Sequence, residues 1–339
     1  MAGSLRRASL AGLSAFGVGV AAPALAFDCA QAKSKVERAI CGDPAAKAAD
    51  DAMSAAFDKL RGTLSGAELT ALVRNQRAWL KMRDLRCQSD SALASCLRER
   101  NLVRARALSA EPDSGPGTPN PLTPVIVDRP GGKSTYAVNL FLFRFAAPKT
   151  PAENLLNGKV RKIVAEAPTK TGDPASATPY EWERKARIAY ASDRLLSIRI
   201  DGYEMSGGAH PNPSVATINI DMKSGRELSI GDLVDGANRN AIVSMCEEQV
   251  GRQLREKIKE GGDDPDGPEG KAMLQDLAGD AKKGVAETLG DLANWTFGGS
   301  SVEVTFMPYS VAPYALGAFT CTISYGELRR LAKPAFPLP

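Results

Sequence analysis

The chain is poor in the residue that most often carries metal and acid–base chemistry: its 339 residues include one histidine, His210. A metal site built from several imidazoles is therefore excluded within one subunit. Aromatic residues make up only 6% of the chain, and no stretch interleaves them with basic residues, so nothing resembles a nucleic-acid-binding motif. No apolar run beyond residue 26 is long enough to span a membrane, and no internal repeat is visible. The acidic segment 261–270 lacks the Asp-x-Asp-x-Asp-Gly spacing and distal glutamate of an EF-hand, so it reads as a solvated loop. No metal, cofactor or nucleic-acid partner is expected.

What is present begins at the N-terminus. Arg6 and Arg7 precede an uncharged run, Ala8 to Ala26, that closes on Ala24-Leu25-Ala26. A charged start, an apolar middle and an A-x-A end define a Sec-type signal peptide over residues 1–26, so a periplasmic protein starting near Phe27 is expected. Asp28 stands before Cys29 where a lipoprotein signal places a small residue, which makes Cys29 a disulfide partner rather than a lipid anchor. No membrane span is expected after cleavage.

Six cysteines divide evenly around a proline-rich stretch, with Cys29, Cys41, Cys87 and Cys96 before it and Cys246 and Cys321 after it. That is a disulfide framework in two modules, each able to close within itself in an oxidising compartment. Residues 111–124 hold Pro112, Pro116, Pro119, Pro121 and Pro124 together with Gly115 and Gly117, the composition of a linker between residues 27–110 and 125–339. Charge names no partner: without residues 1–26 the chain has 41 basic and 39 acidic side chains. Residues 27–110 are mildly basic, with 15 Lys and Arg against 10 Asp and Glu.

The first module reads as helical. Asp43-Pro44 supplies an N-cap and a first-turn proline, after which Ala49, Met53, Ala56, Phe57 and Leu60 share a face. Gly62 and Gly66 break that helix, and Ser65 to Glu68 offers a capping box to the next, whose stripe runs through Leu69, Leu72, Val73, Gln76, Trp79 and Leu80. A third helix is expected over 92–107. Trp79 reads as a core residue. Arg83 and Asp84 are neighbours that point apart on a helix, so each is expected to find partners on other helices. Cys29 with Cys41 and Cys87 with Cys96 would close short loops, although four cysteines allow three connectivities.

Asp28-Cys29, Glu37-Arg38-Ala39-Ile40-Cys41, Gln76-Arg77-Ala78-Trp79-Leu80, Arg83-Asp84, Cys87 and Cys96-Leu97 together resemble the N-terminal domain of the LprI family, described as lysozyme inhibitors. The resemblance covers about residues 27–108 and implies a secreted helical binding module.

The second module alternates between strand and helix periods. Tyr136, Val138, Leu140 and Leu142 oppose Phe141, Phe143 and Phe145, as in a strand covered on both faces. A helix is expected over 154–165, then paired strands over 187–190 and 195–203 and a further strand through Ala216, Ile218, Ile220 and Met222. Helices over 241–259 and 271–292, strands over 302–307 and 318–324 and a short helix over 326–332 complete the pattern. The fold class is α+β: a small disulfide-stapled helical domain, then an antiparallel sheet packed with helices. Cys321 on the last strand would cross-link Cys246 on a helix.

Tyr203 to His210, Ile218 to Leu233 and Phe306 to Gly317 are similar to the RsiV C-terminal domain family, and the segment before them resembles its PdaC-type partner domain, the two covering about residues 135–331. In RsiV this region is an extracytoplasmic receptor for lysozyme, and that resemblance implies a recognition surface here. The residues themselves leave two readings: His210 fixes its own Gly207-Gly208 turn by hydrogen bonding, or Tyr203, His210, Tyr309 and Tyr314 form a recognition loop suited to aromatic-rich contact with a protein or a sugar. Ser206 lies near His210, but the turn carries no nucleophile-elbow pattern and no orienting acid, so a non-catalytic protein is expected. The expected partner is lysozyme or another cell-wall hydrolase, with peptidoglycan as the alternative ligand of an envelope-sensing module.

Overall fold

The computed structural model describes residues 28–173, 175 and 178–339; the signal-peptide reading and Phe27 lie outside the described residues. The first module is four helices, α1 (Lys35–Gly42), α2 (Pro44–Arg61), α3 (Gly66–Cys87) and α4 (Leu93–Ser109). Ser34 and Glu37 form a reciprocal capping box on α1, a short helix in addition to the three expected. Asp43 caps α2 as the Asp-Pro pair predicts, accepting from the Ala45 and Ala46 amides. Ser65 behaves differently from its expectation: its side chain makes no cap bond to α3. Arg83 also departs from its reading, donating to the adjacent Asp84 as well as across the bundle to Asp50 and Asn101.

A six-stranded sheet follows, in sequential order: β1 (Leu122–Arg129), β2 (Ala137–Phe145), β3 (Tyr180–Ala191), β4 (Leu195–Ser206), β5 (Asn212–Asp221) and β6 (Arg226–Glu227). Neighbours are antiparallel except β2 and β3, which are parallel because α5 (Pro151–Glu166) crosses over between them. The residues read as a linker are not free of the sheet. β1 starts at Leu122, inside the 111–124 stretch, and carries Pro124 on an edge strand, the place in a sheet where proline is tolerated. Upstream, the Asp113 and Gly117 amides donate to Ile188 and Ala191 at 2.7 and 3.0 Å. Asp113 also pairs with Arg187 at 2.9 Å.

Both faces of β2 are buried, and the alternation explains how. Val138, Leu140 and Leu142 join Ile188, Ile198 and Ile218 in a core that also takes in Leu156 and Val160 of α5. Phe141 lies on the other face, where Arg104 of α4 stacks at 4.9 Å and Asn139 accepts from Asn75 of α3. The helical module therefore shares its core with the sheet: Leu72 and Leu108 pack in the same cluster as the β2 phenylalanines.

A second, three-stranded sheet, β7 (Trp295–Phe297), β8 (Ser301–Phe306) and β9 (Phe319–Ser324), follows α6 (Ile230–Leu233), α7 (Gly236–Glu260) and α8 (Pro268–Thr288), and α9 (Tyr325–Leu331) closes the chain. Its own core gathers Ile242, Val250, Val285, Trp295, Phe306 and Phe319. The seam between the two sheets is polar. Thr217 meets Thr296 at 3.1 Å, Ser197 accepts from the Phe297 amide and Asn219 donates to the carbonyls of Leu292 and Trp295. Three disulfides, Cys29–Cys41, Cys87–Cys96 and Cys246–Cys321, use every cysteine. Among the described residues no helix is long and apolar enough to cross a membrane.

Candidate recognition surface

The turn after β4 begins with Gly207 at φ 84°, a left-handed conformation open to glycine, and a Cβ there would lie 2.8 Å from the Tyr180 hydroxyl. It delivers His210 to a second turn, which follows β8. The two turns meet through rings: His210 stacks on Tyr314 with centroids 3.8 Å apart, and Tyr309 lies 5.7 Å from Tyr314.

Hydrogen bonds set the imidazole. A carbonyl can only accept, so His210 Nδ1, 3.1 Å from the Pro211 oxygen, carries the proton. Nε2 lies 3.3 Å from the Tyr309 hydroxyl, from which it accepts in the tautomer protonated at Nδ1 alone. Tyr314 donates to the same Pro211 carbonyl at 2.9 Å. His210 is thus held by aromatic stacking, a carbonyl and a phenol.

Tyr309 is both strained and open. Its φ is 71°, a region that costs a non-glycine residue about 1–3 kcal/mol and persists only when the surroundings enforce it. They do so through the Tyr309 amide bonded to the Ala312 carbonyl at 3.0 Å and the Ser310 amide bonded to Met307. Behind the turn lies Gly284 of α8, where a Cβ would sit 1.6 Å from the Ser310 carbonyl oxygen, so the helix backbone is pressed against the turn. The ring this arrangement holds out is 65% exposed, the most open large apolar side chain among the described residues.

Tyr203 sits on β4, opposite Glu183 of β3. Desolvation, followed by the charges of Glu181 and Glu183 and then Tyr314, raises its phenol above the ordinary value. All four sequence-derived candidates therefore belong to one neighbourhood, an aromatic ridge beside carboxylates. On the same face of β4, Arg199 bonds Asp201 at 2.9 Å and Glu303 of β8 at 2.7 Å. Arg199 and Glu303 carry no spacing signal, being 104 residues apart in sequence. Among the described residues, no group of three or more His, Cys, Asp or Glu side chains is arranged to hold a metal ion.

Two family models match separate parts of the chain. Residues 28–108 match the family described as Lysozyme inhibitor LprI. Residues 232–326, which include Tyr309 and Tyr314, match a family described as Protein of unknown function (DUF3298). Among solved structures, a DUF3298 family protein from Pseudomonas aeruginosa PAO1 is 18% identical, with a TM-score of 0.41 over 65% of this chain and 97% of that one. A member of the same family from Bacteroides fragilis NCTC 9343 is 13% identical, with a TM-score of 0.39 over 62% of this chain and 93% of that one. No curated protein matches the chain.

Proposed function

We propose that this is a secreted, non-catalytic periplasmic protein that binds a lysozyme or a related cell-wall hydrolase and blocks its cleft by occupying it. The observation that carries the reading is the match of residues 28–108 to a lysozyme-inhibitor family. Three disulfides that consume all six cysteines fit an oxidising compartment.

The contact surface we assign is the ridge of Tyr203, His210, Tyr309 and Tyr314. Large aromatic side chains with polar tips dominate protein interfaces, and a pre-set turn avoids the entropy cost of ordering one on binding. Glu181 beside Tyr203 gives the ridge a carboxylate suited to a cationic enzyme, whereas Glu183 is already paired with Lys185. The mildly basic helical module, with a net charge of +5 over residues 27–110, lacks that complementarity. The RsiV-like resemblance of the ridge segments supports the same surface.

A pull-down with lysozymes of several classes, followed by a muramidase assay, tests the proposal. Capture and inhibition of at least one class are expected. Binding to sacculi with no capture and no inhibition would replace it with an envelope-ligand function.

A further inference from the structure

The helical module holds a cleft that the hydrolase-binding reading does not use. It lies beside the loop closed by Cys87–Cys96, has a volume of about 480 Å³ and is lined by Trp79, Asp90, Ser95, Glu99, Arg100 and Val103 among others. Its walls are fixed in advance. Trp79 is braced by the guanidinium groups of Arg83 and Arg104, at 5.6 and 5.4 Å from its ring, and the disulfide pins the opposite wall at Cys96. Asp90 is held by the Ala92 amide at 2.8 Å.

Two of the lining side chains have nothing to do in the fold. Arg100 makes no hydrogen bond or ion pair with any described residue, and its Nε is buried without a partner. Glu99, its neighbour, is exposed and equally unengaged among the described residues. An arginine has only donors and a carboxylate only acceptors, so the cleft offers both kinds of hydrogen bond next to an indole and a valine. An anion would meet Asp90 and Glu99, and a cation would meet Arg100. A sugar ring satisfies both halves: its hydroxyls donate and accept, and its C–H face lies on apolar or aromatic surface.

We infer that this cleft is a binding site for an uncharged, hydroxyl-rich saccharide, with Arg100 and Glu99 hydrogen-bonding its hydroxyl groups and Trp79 and Val103 receiving its apolar face. The cleft stands on a different module from the His210 ridge, so either assignment can fail without the other.

Tryptophan fluorescence reads the site in the full-length protein, because Trp182 and Trp295 are only 6% and 0% exposed, leaving Trp79 as the responsive indole. Titration with triacetylchitotriose is expected to give a saturable change. Arg100→Ala and Glu99→Gln, which remove no contact of the fold, should each weaken that binding at least tenfold and leave the melting temperature unchanged. The inference is overturned if triacetylchitotriose gives no saturable change, if both variants bind it as the parent does, or if only charged probes, N-acetylmuramic acid or glucosamine, bind.

Discussion

Tyr309 joins conformation to recognition in one side chain. Glycine tolerates its φ of 71° and alanine does not, so the two substitutions separate strain from contact. Tyr309→Gly is expected to leave thermal stability equal or higher while weakening hydrolase binding, and Tyr309→Ala and Tyr314→Ala should each weaken binding by about 1 kcal/mol or more. Calorimetric titration beside a thermal melt checks both. Arg104 poses the opposite case, a charge held inside. Burial pushes its guanidinium down to about 9, and its partners are the neutral amides of Gln76 and Asn75 at 2.9 and 2.7 Å. Arg104→Ala would take the donor from both amide oxygens in the core and is expected to cost about 3 kcal/mol in urea denaturation. His210, Tyr309 and Tyr314 drew notice in the sequence because they sit in or beside glycine- and proline-marked turns, whereas Tyr203 lies on β4. Arg104 did not stand out: on a helix rich in arginine, what distinguishes it is its contacts with α3 and with Phe141 of a distant strand.

At the scale of elements, caps and close contacts set the behaviour. Glu37, Asp232 and Glu327 each close a capping box with the serine three residues before, and each has its carboxyl held below its ordinary value. Hydrogen bonds to the Ser34 and Lys33 amides are the leading cause for Glu37, the Arg226 hydrogen bond for Asp232 and the Ser324 hydroxyl for Glu327. A carboxyl depressed in the folded state stabilises above its unfolded pKa of about 4, and that contribution fades as pH falls toward the folded value. Asp232→Asn is therefore expected to flatten the acid side of the stability curve, read as melting temperature between neutral and acidic pH. Gly284→Ala should lower the melting temperature and displace the Tyr309 turn, because the added methyl meets the Ser310 carbonyl. Strands and helices with clean periods, such as β4, β5 and α7, were readable from spacing. β1 was hidden among prolines. The polar face of Ser197 and Arg199 resembled a solvated one because the surface that covers it is itself polar.

For the whole molecule the question is how far the two modules depend on each other. Chain-entropy arguments give the Cys246–Cys321 bridge, across a separation of 75 residues, about 4.5 kcal/mol, against about 2.6–2.8 kcal/mol for separations of 9 and 12. Replacing Cys246 and Cys321 together by serine should accordingly lower stability more than replacing Cys29 and Cys41, by chemical denaturation. Residues 27–110 expressed alone under oxidising conditions are expected to be helical by circular dichroism, yet to melt below the intact protein because Leu72 and Leu108 lose the sheet they pack against. A disordered oxidised fragment would contradict the helical-module boundary. The even split of cysteines around the prolines is what suggested two modules. The shared core was not visible there, since no local period reports which face of one module meets another. Hydrolase recognition through the aromatic ridge is the central claim. Its most direct test is a muramidase titration with the full-length protein and its Tyr309→Ala/Tyr314→Ala double variant: saturable inhibition by the first, strongly weakened in the second, is predicted, and inhibition of equal strength by both, or by neither against any lysozyme class, would contradict it.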